Sequence, residues 1–203
     1  MSECKERNQR TKLLPTIARF TPGLYIGIVL FNCLINPSYN SYYLLISYII
    51  VILSNYFFKN IVAKTIYNLL NKQTLPIIGS GKRPNCAVSC SLTLDGKVSR
   101  SYGMPSGHSQ ITWAVVTYLI CKIIYKWINN SDNNLNTEIK YFSRIILILL
   151  LLATGIYVSY SRVYIESCHT LQQVIIGGII GSIFGFGAFY YEDYFVNLMK
   201  KNL

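Results

Sequence analysis

The chain holds two histidines, and their settings are alike. His108 closes Met104-Pro105-Ser106-Gly107-His108 directly before an apolar stretch, and His169 stands directly before another. Gln173 follows His169 by four residues, so the two are neighbours on one helical face. A Gln carbonyl that holds one imidazole N–H fixes the tautomer and leaves the other nitrogen as a nucleophile. An imidazole at His108 suits proton delivery to a leaving oxygen near neutral pH. Pro105 fits the first turn of a helix, where its missing N–H would be unpaired anyway. Ser106 and Gly107 then leave amide N–H groups at the positive helix end, a setting that receives anions. Arg162, after Ser161, offers a planar fork matched to phosphate oxygens. Arg83-Pro84 follows Gly79-Ser80-Gly81-Lys82, a second basic loop. Each piece alone also has a plain structural use: a capped helix start, a headgroup anchor, a hydrogen-bonded helix cap, a solvated basic loop.

Five apolar stretches must position these residues. The chain has 203 residues, 52% hydrophobic and only 13% charged, which excludes a disordered chain and an ordinary water-soluble globule. A membrane-crossing helix needs about 20 mostly apolar residues. Candidate spans are 20–35, 39–58, 109–127, 142–160 and 171–191, the fourth carrying the unbroken run Ile145 to Ala153. Between the second and third, 59–72 alternates apolar residues with Lys59, Lys64 and Lys72 and reads as a helix lying along the membrane surface. Gly177, Gly181 and Gly185 repeat at four-residue spacing, which lets a neighbouring helix approach closely.

These stretches imply an all-α, polytopic transmembrane bundle of about five spans. The whole of 1–203 reads as a single membrane domain, with a basic lead-in over 1–19 and a short tail over 192–203. No cleaved signal peptide is expected. Five crossings put the end of span two, the start of three, the end of four and the start of five on one side. Arg83, His108, Arg162 and His169 all fall there. The net charge of +11 lies between apolar stretches rather than along one solvated face, so phosphate groups or lipid headgroups are the expected partners, not nucleic acid.

The three ordered pieces resemble the type 2 phosphatidic acid phosphatase (PAP2) superfamily, whose pattern is Lys-x6-Arg-Pro, Pro-Ser-Gly-His and Ser-Arg-x5-His-x3-Asp. Pro105 to His108 matches fully. Tyr102 to Gln110, Val158 to Tyr164, His169-Thr170 and Gln173-Val174 look closest to the dolichyldiphosphatase branch, in which a Gln likewise replaces the Asp. The resemblance runs from about Asn55 to Gly185. It implies a helical bundle of the PAP2 and haloperoxidase-like type and an integral membrane phosphatase acting on a lipid phosphate or diphosphate. It further implies that His169 forms a phosphohistidine and that His108 protonates the leaving group. Arg83, Arg162, Ser106, Gly107 and a lysine would bind the phosphate. No metal or other cofactor is required in that scheme.

Departures matter. Pro76 stands where the family lysine would precede Arg83, leaving Lys59, Lys64 and Lys82 as substitutes, with Lys59 preferred because Asn55-x3-Lys59 resembles the family lead-in. Six residues rather than five separate Arg162 from His169. Gln173 lacks a carboxylate's charge, which suits a diphosphate substrate whose leaving group is itself a phosphate. Glu166 is a weaker substitute for the missing acid. Alternatives are a phosphatidic acid or other lipid monophosphate phosphatase and a catalytically silent phospholipid-binding relative. Cys33 and Cys121 read as packing residues, Cys168 as a helix-end residue, and Cys86-x3-Cys90 as a disulfide or half a metal site. Similarity to dolichyldiphosphatases implies a site facing the endoplasmic reticulum lumen. The cation distribution points instead to the cytosol. The sequon Asn129-Asn130-Ser131, on the opposite side, discriminates between them. Oligomeric state is open.

Overall fold

The computed structural model describes residues 13–71, 74–84, 87, 101–129 and 137–202. Its elements in chain order are α1 (Leu13–Ile35), α2 (Tyr39–Phe57), a π-helical segment (Phe58–Ala63), α3 (Lys64–Leu69), β1 (Thr74–Leu75), β2 (Gly79–Ser80), α4 (Gly107–Asn129), α5 (Thr137–Tyr160), a second π-helical segment (Ser161–Ile165) and α6 (Leu171–Asn202). Five helical stretches are long and apolar enough to cross a membrane. The chain is an integral membrane bundle. Large apolar side chains such as Ile28, Leu34, Leu53 and Ile183 point outward, where lipid and not water is the favourable surrounding.

Three boundaries differ from expectation. Helix α1 begins at Leu13, before the expected Phe20, so the lead-in 1–19 is helical from Leu13 onward. Pro22 sits inside it and removes one backbone donor. Tyr48 Oη donates to the Pro22 carbonyl, tying α1 to α2 at this point. Helix α6 continues to Asn202, so the expected tail 192–203 is helical as far as Asn202. Nothing after Gly187 breaks the ladder, and Lys200 and Lys201 in the last turn complement the negative helix end. The segment after α2 does not turn away as a separate surface helix. It continues from α2 through a wide π turn, giving one helical stretch over 39–69. At about 1.5 Å per residue this is longer than the roughly 30 Å hydrocarbon layer, so part of it projects beyond that layer.

Helices α4 and α6 form the most extensive helix pair. The glycine stripe makes it possible. A Cβ at Gly177 would lie 2.6 Å from the Ser106 carbonyl oxygen, and one at Gly181 or Gly185 would collide with the carbonyls of Gln110 or Ala114. Ser109 Oγ donates to the Val174 carbonyl at 2.7 Å, and the Ser106 amide to the Gln173 carbonyl at 3.0 Å. The start of α4, which carries His108, and the start of α6, two residues after His169, are therefore stitched together at one end of the bundle. Gln110 extends the seam to α2, accepting from Asn55 Nδ2 and donating to Ser54 Oγ, each at 2.8 Å.

Candidate active site

The tautomer of His169 follows from its neighbours. The two hydrogens of the Gln173 amide point to the carbonyls of Ser80 (2.6 Å) and Lys82 (2.8 Å), which can only accept. Gln173 Oε1 is thereby turned toward His169 Nδ1 at 3.0 Å and the Thr170 amide at 3.3 Å. Nδ1 must carry the proton. On the other edge, Arg83 Nη1 lies 2.9 Å from Nε2, and a guanidinium only donates, so Nε2 presents its lone pair. Gly103 is needed for this packing, because a Cβ there would collide with Gln173 Oε1.

Electrostatics reinforce the geometry. His169 is almost fully buried, and desolvation, followed by the charges of Arg83, Arg162 and Lys59, holds its pKa well below the ordinary histidine range. The ring is therefore neutral at physiological pH. Arg83 also donates to Ser101 Oγ and the Cys168 carbonyl, each at 3.1 Å. Burial, with Arg162 nearby, lowers the Arg83 pKa to about 10, so it remains a cation. Lys59 lies among the same charges and acts on both imidazoles, whereas Lys64 and Lys82 are exposed. Of the three lysines considered, Lys59 is the one placed against the two arginines.

His108 sits at the opening turn of α4. Its Nε2 is 2.9 Å from the Arg19 carbonyl oxygen, an acceptor only, so Nε2 carries a proton. Gly107 packs against Asn55, whose Oδ1 would be 2.9 Å from an added Cβ. Ser106 departs from expectation. Its amide already donates to the Gln173 carbonyl, so it is the buried Oγ, without a hydrogen-bond partner among the described residues, that remains available.

Arg162 is completely buried and pairs through Nη1 with Glu166 Oε2 one turn on. Glu166 therefore does not stand in for an acid beside His169; it faces Arg162 and, at 3.6 Å, Arg19. The extra residue between Arg162 and His169 is taken up by the π turn over Ser161–Ile165 and by Ser167 in the left-handed region at φ 50°. The chain then doubles back so that the Arg162 carbonyl accepts from both the Cys168 and His169 amides, at 3.0 and 3.2 Å. Cys168 is disulfide-bonded rather than a simple helix-end residue. Its partner sulfur lies outside the described residues, as do Cys86 and Cys90. Cys33 and Cys121 are free and partly buried. Among the described residues, no three His, Cys, Asp or Glu side chains form a group able to hold a metal.

Arg19 belongs to no motif of the sequence, yet its carbonyl meets His108 and its guanidinium faces Glu166. A charged residue at the edge of the first apolar stretch was the available signal. Its carbonyl contact to His108 is a tertiary fact that no spacing reveals.

Comparison with known proteins gives the same direction. A family model described as the PAP2 superfamily matches residues 42–197. Human Dolichyldiphosphatase 1 is 36% identical over 96 residues, which is 47% of this chain and 39% of that protein. The protein of the same name from Callithrix jacchus is 38% identical over 86 residues, 42% of this chain and 34% of the relative. The Mus musculus protein is 37% identical over 86 residues, with the same coverage. The matched stretch is thus well under half the length of these relatives. No solved structure matches the chain.

Proposed function

The chain belongs to the PAP2 superfamily, a phosphatase family, and from that premise we propose that it cleaves a lipid diphosphate of the polyprenyl or dolichyl type through a phosphohistidine on His169. The observation that carries this reading is the unprotonated Nε2 of a neutral, buried His169, which accepts from Arg83 on one edge while Gln173 holds Nδ1 on the other. In the first step Arg83 Nη1–H turns from Nε2 to a phosphate oxygen, Nε2 bonds to the terminal phosphorus and the bridging P–O bond breaks. The lipid monophosphate leaves with a proton from His108. Delivery requires that the His108 Nε2–H leave the Arg19 carbonyl, or that Nδ1 carry a second proton. A water then attacks phosphorus and gives a proton to His108, the N–P bond breaks, and inorganic phosphate departs.

Arg83, Arg162 and Lys59 supply the charge that phosphoryl transfer needs, with Ser106 Oγ and the Gly107 turn beside them, so the chemistry drawn here is metal-independent. Gln173 orients His169 without adding a negative charge. That suffices where the leaving group is a phosphate rather than an alkoxide, and it favours lipid diphosphates over monophosphates. The Dolichyldiphosphatase 1 relatives support the same substrate class. The five spans act as one membrane domain. The disulfide at Cys168 supports an oxidising compartment and hence a site facing the endoplasmic reticulum lumen.

The test is phosphate release by detergent-solubilised protein from a polyprenyl diphosphate and from phosphatidic acid. Faster release from the diphosphate, with a radiolabelled phosphohistidine lost in His169→Ala, is the expected outcome. Faster hydrolysis of phosphatidic acid, or activity surviving His169→Ala, overturns it. Glycosylation at Asn129 would place the site in the cytosol and sink the compartment assignment.

A further inference from the structure

Glu166 is the one acidic side chain among the described residues that contacts the arginines of the cradle, and it is 8% exposed. Its two oxygens are divided. Oε2 takes Arg162, and Oε1 faces Arg19 Nε at 3.6 Å, an ion pair longer than a hydrogen bond. Glu166 follows Arg162 by four residues at the end of the π turn, with its amide bonded to the Ser161 carbonyl at 2.8 Å, so the carboxylate is fixed at both its backbone and its head. Arg19 comes from α1, and the same residue's carbonyl holds His108. One carboxylate thus links a phosphate-binding arginine to the helix that positions the proposed acid.

We infer that Glu166 is a positioning residue that sets the net charge of the phosphate site, holding Arg162 in place while cancelling part of its attraction for anions, with Arg19 dividing that carboxylate. The inference rests on the reading of Arg83, Arg162 and Lys59 as a phosphate cradle. Its consequence is release of product: a cradle with full charge on Arg162 holds inorganic phosphate too long. Removing the carboxylate therefore tightens phosphate binding, whereas damage to the fold loosens it. Arg19→Gln acts with the opposite sign, because Glu166 then serves Arg162 alone. The contact from Arg19 to His108 uses a backbone carbonyl and survives that substitution.

The experiment is calorimetric titration of inorganic phosphate into the full-length protein in detergent, with turnover on a polyprenyl diphosphate measured in parallel. Glu166→Gln is expected to bind phosphate about tenfold more tightly, equivalent to about 1.4 kcal/mol, with lower kcat and no rise in KM. Arg19→Gln is expected to bind it several-fold more weakly, and Glu166→Asp, which keeps the charge, to stay near wild type in affinity. Unchanged or weaker binding by folded Glu166→Gln overturns the proposal. If that variant does not fold, Arg19→Gln decides, and unchanged or tighter binding there overturns it. A wild type that binds phosphate but hydrolyses no lipid phosphate sinks the proposed function while leaving this inference standing. A wild type that binds no phosphate ends both.

Discussion

Two buried ionic clusters lie at opposite ends of the bundle, and they are built differently. At the far end Glu192 accepts from Lys122 at 2.8 Å and Tyr118 at 2.9 Å, pinning α6 to α4 with one charge of each sign. At the histidine end Glu166, the one carboxylate among the described residues that pairs with the cations there, faces Arg162 and Arg19, while Arg83 and Lys59 lie toward His169 with no such partner. A balanced pair needs nothing further and serves packing. An unbalanced group of buried cations carries a desolvation cost that only an anion offsets. The first is a rivet; the second fits the phosphate cradle proposed above.

That contrast can be broken by substitution. The largest effect is expected from His169→Ala, which removes the proposed nucleophile: a loss of about 10⁴-fold or more in turnover, the scale seen for nucleophiles in covalent hydrolases; phosphate release at matched protein folding checks it. Arg83→Ala should cost roughly 10²–10³-fold, the scale of one lost charge-stabilising donor, and should weaken inorganic phosphate binding in a titration.

Gln173→Asp should lower turnover by about tenfold, although an Asp is the superfamily's usual residue here. A carboxylate cannot donate to the Ser80 and Lys82 carbonyls, and losing such buried donors costs about 1–3 kcal/mol. A gain in rate would show that charge beside His169 matters more than the strap. The smallest effect on turnover is expected at the far cluster. Lys122→Met should leave kcat within about twofold while lowering the melting temperature, because an unpaired buried Glu192 is destabilising. A large fall in kcat there would erase the distinction between the two ends.

The pH dependence has a definite sign. The folded pKa of His169 lies well below its ordinary value because of burial and neighbouring cations. The unfolded chain takes up a proton near pH 6.5 and the folded chain does not, so this residue removes stability as pH falls through that region. Turnover should persist at pH values where an ordinary histidine is already charged. An acid limb in kcat/KM at or above about 6.5, traced to His169, would contradict the burial seen here.

How much of this was legible beforehand varies by residue. The glycine stripe announced close packing, and the carbonyls of Ser106, Gln110 and Ala114 occupy the space a Cβ would need. The apolar stretches fixed the number of crossings, since length and hydropathy alone decide which segments suit a bilayer. Helix ends were less legible. The first stretch reads as starting at 20 and the last as ending at 191, before Glu192 and Asp193, yet the helices run from Leu13 and to Asn202, because apolar content marks the part that suits a bilayer and not the helix end. Glu166 was visible as a weak substitute for the missing acid, yet its carboxylate meets Arg162 one turn back and Arg19 from α1, and the second of these contacts has no local signal.

Composition, spacing and charge by themselves determined a helical membrane protein with both imidazoles and its principal arginines at one face, because hydrophobic length and alternation of crossings are properties of the chain. Only the tertiary structure decided which lysine joins them, which ring nitrogen of His169 is unprotonated, and which acid balances which arginine. Those outcomes depend on contacts between residues distant in sequence, such as Gln173 with Ser80 or His108 with Arg19, and on turns whose geometry no local pattern specifies.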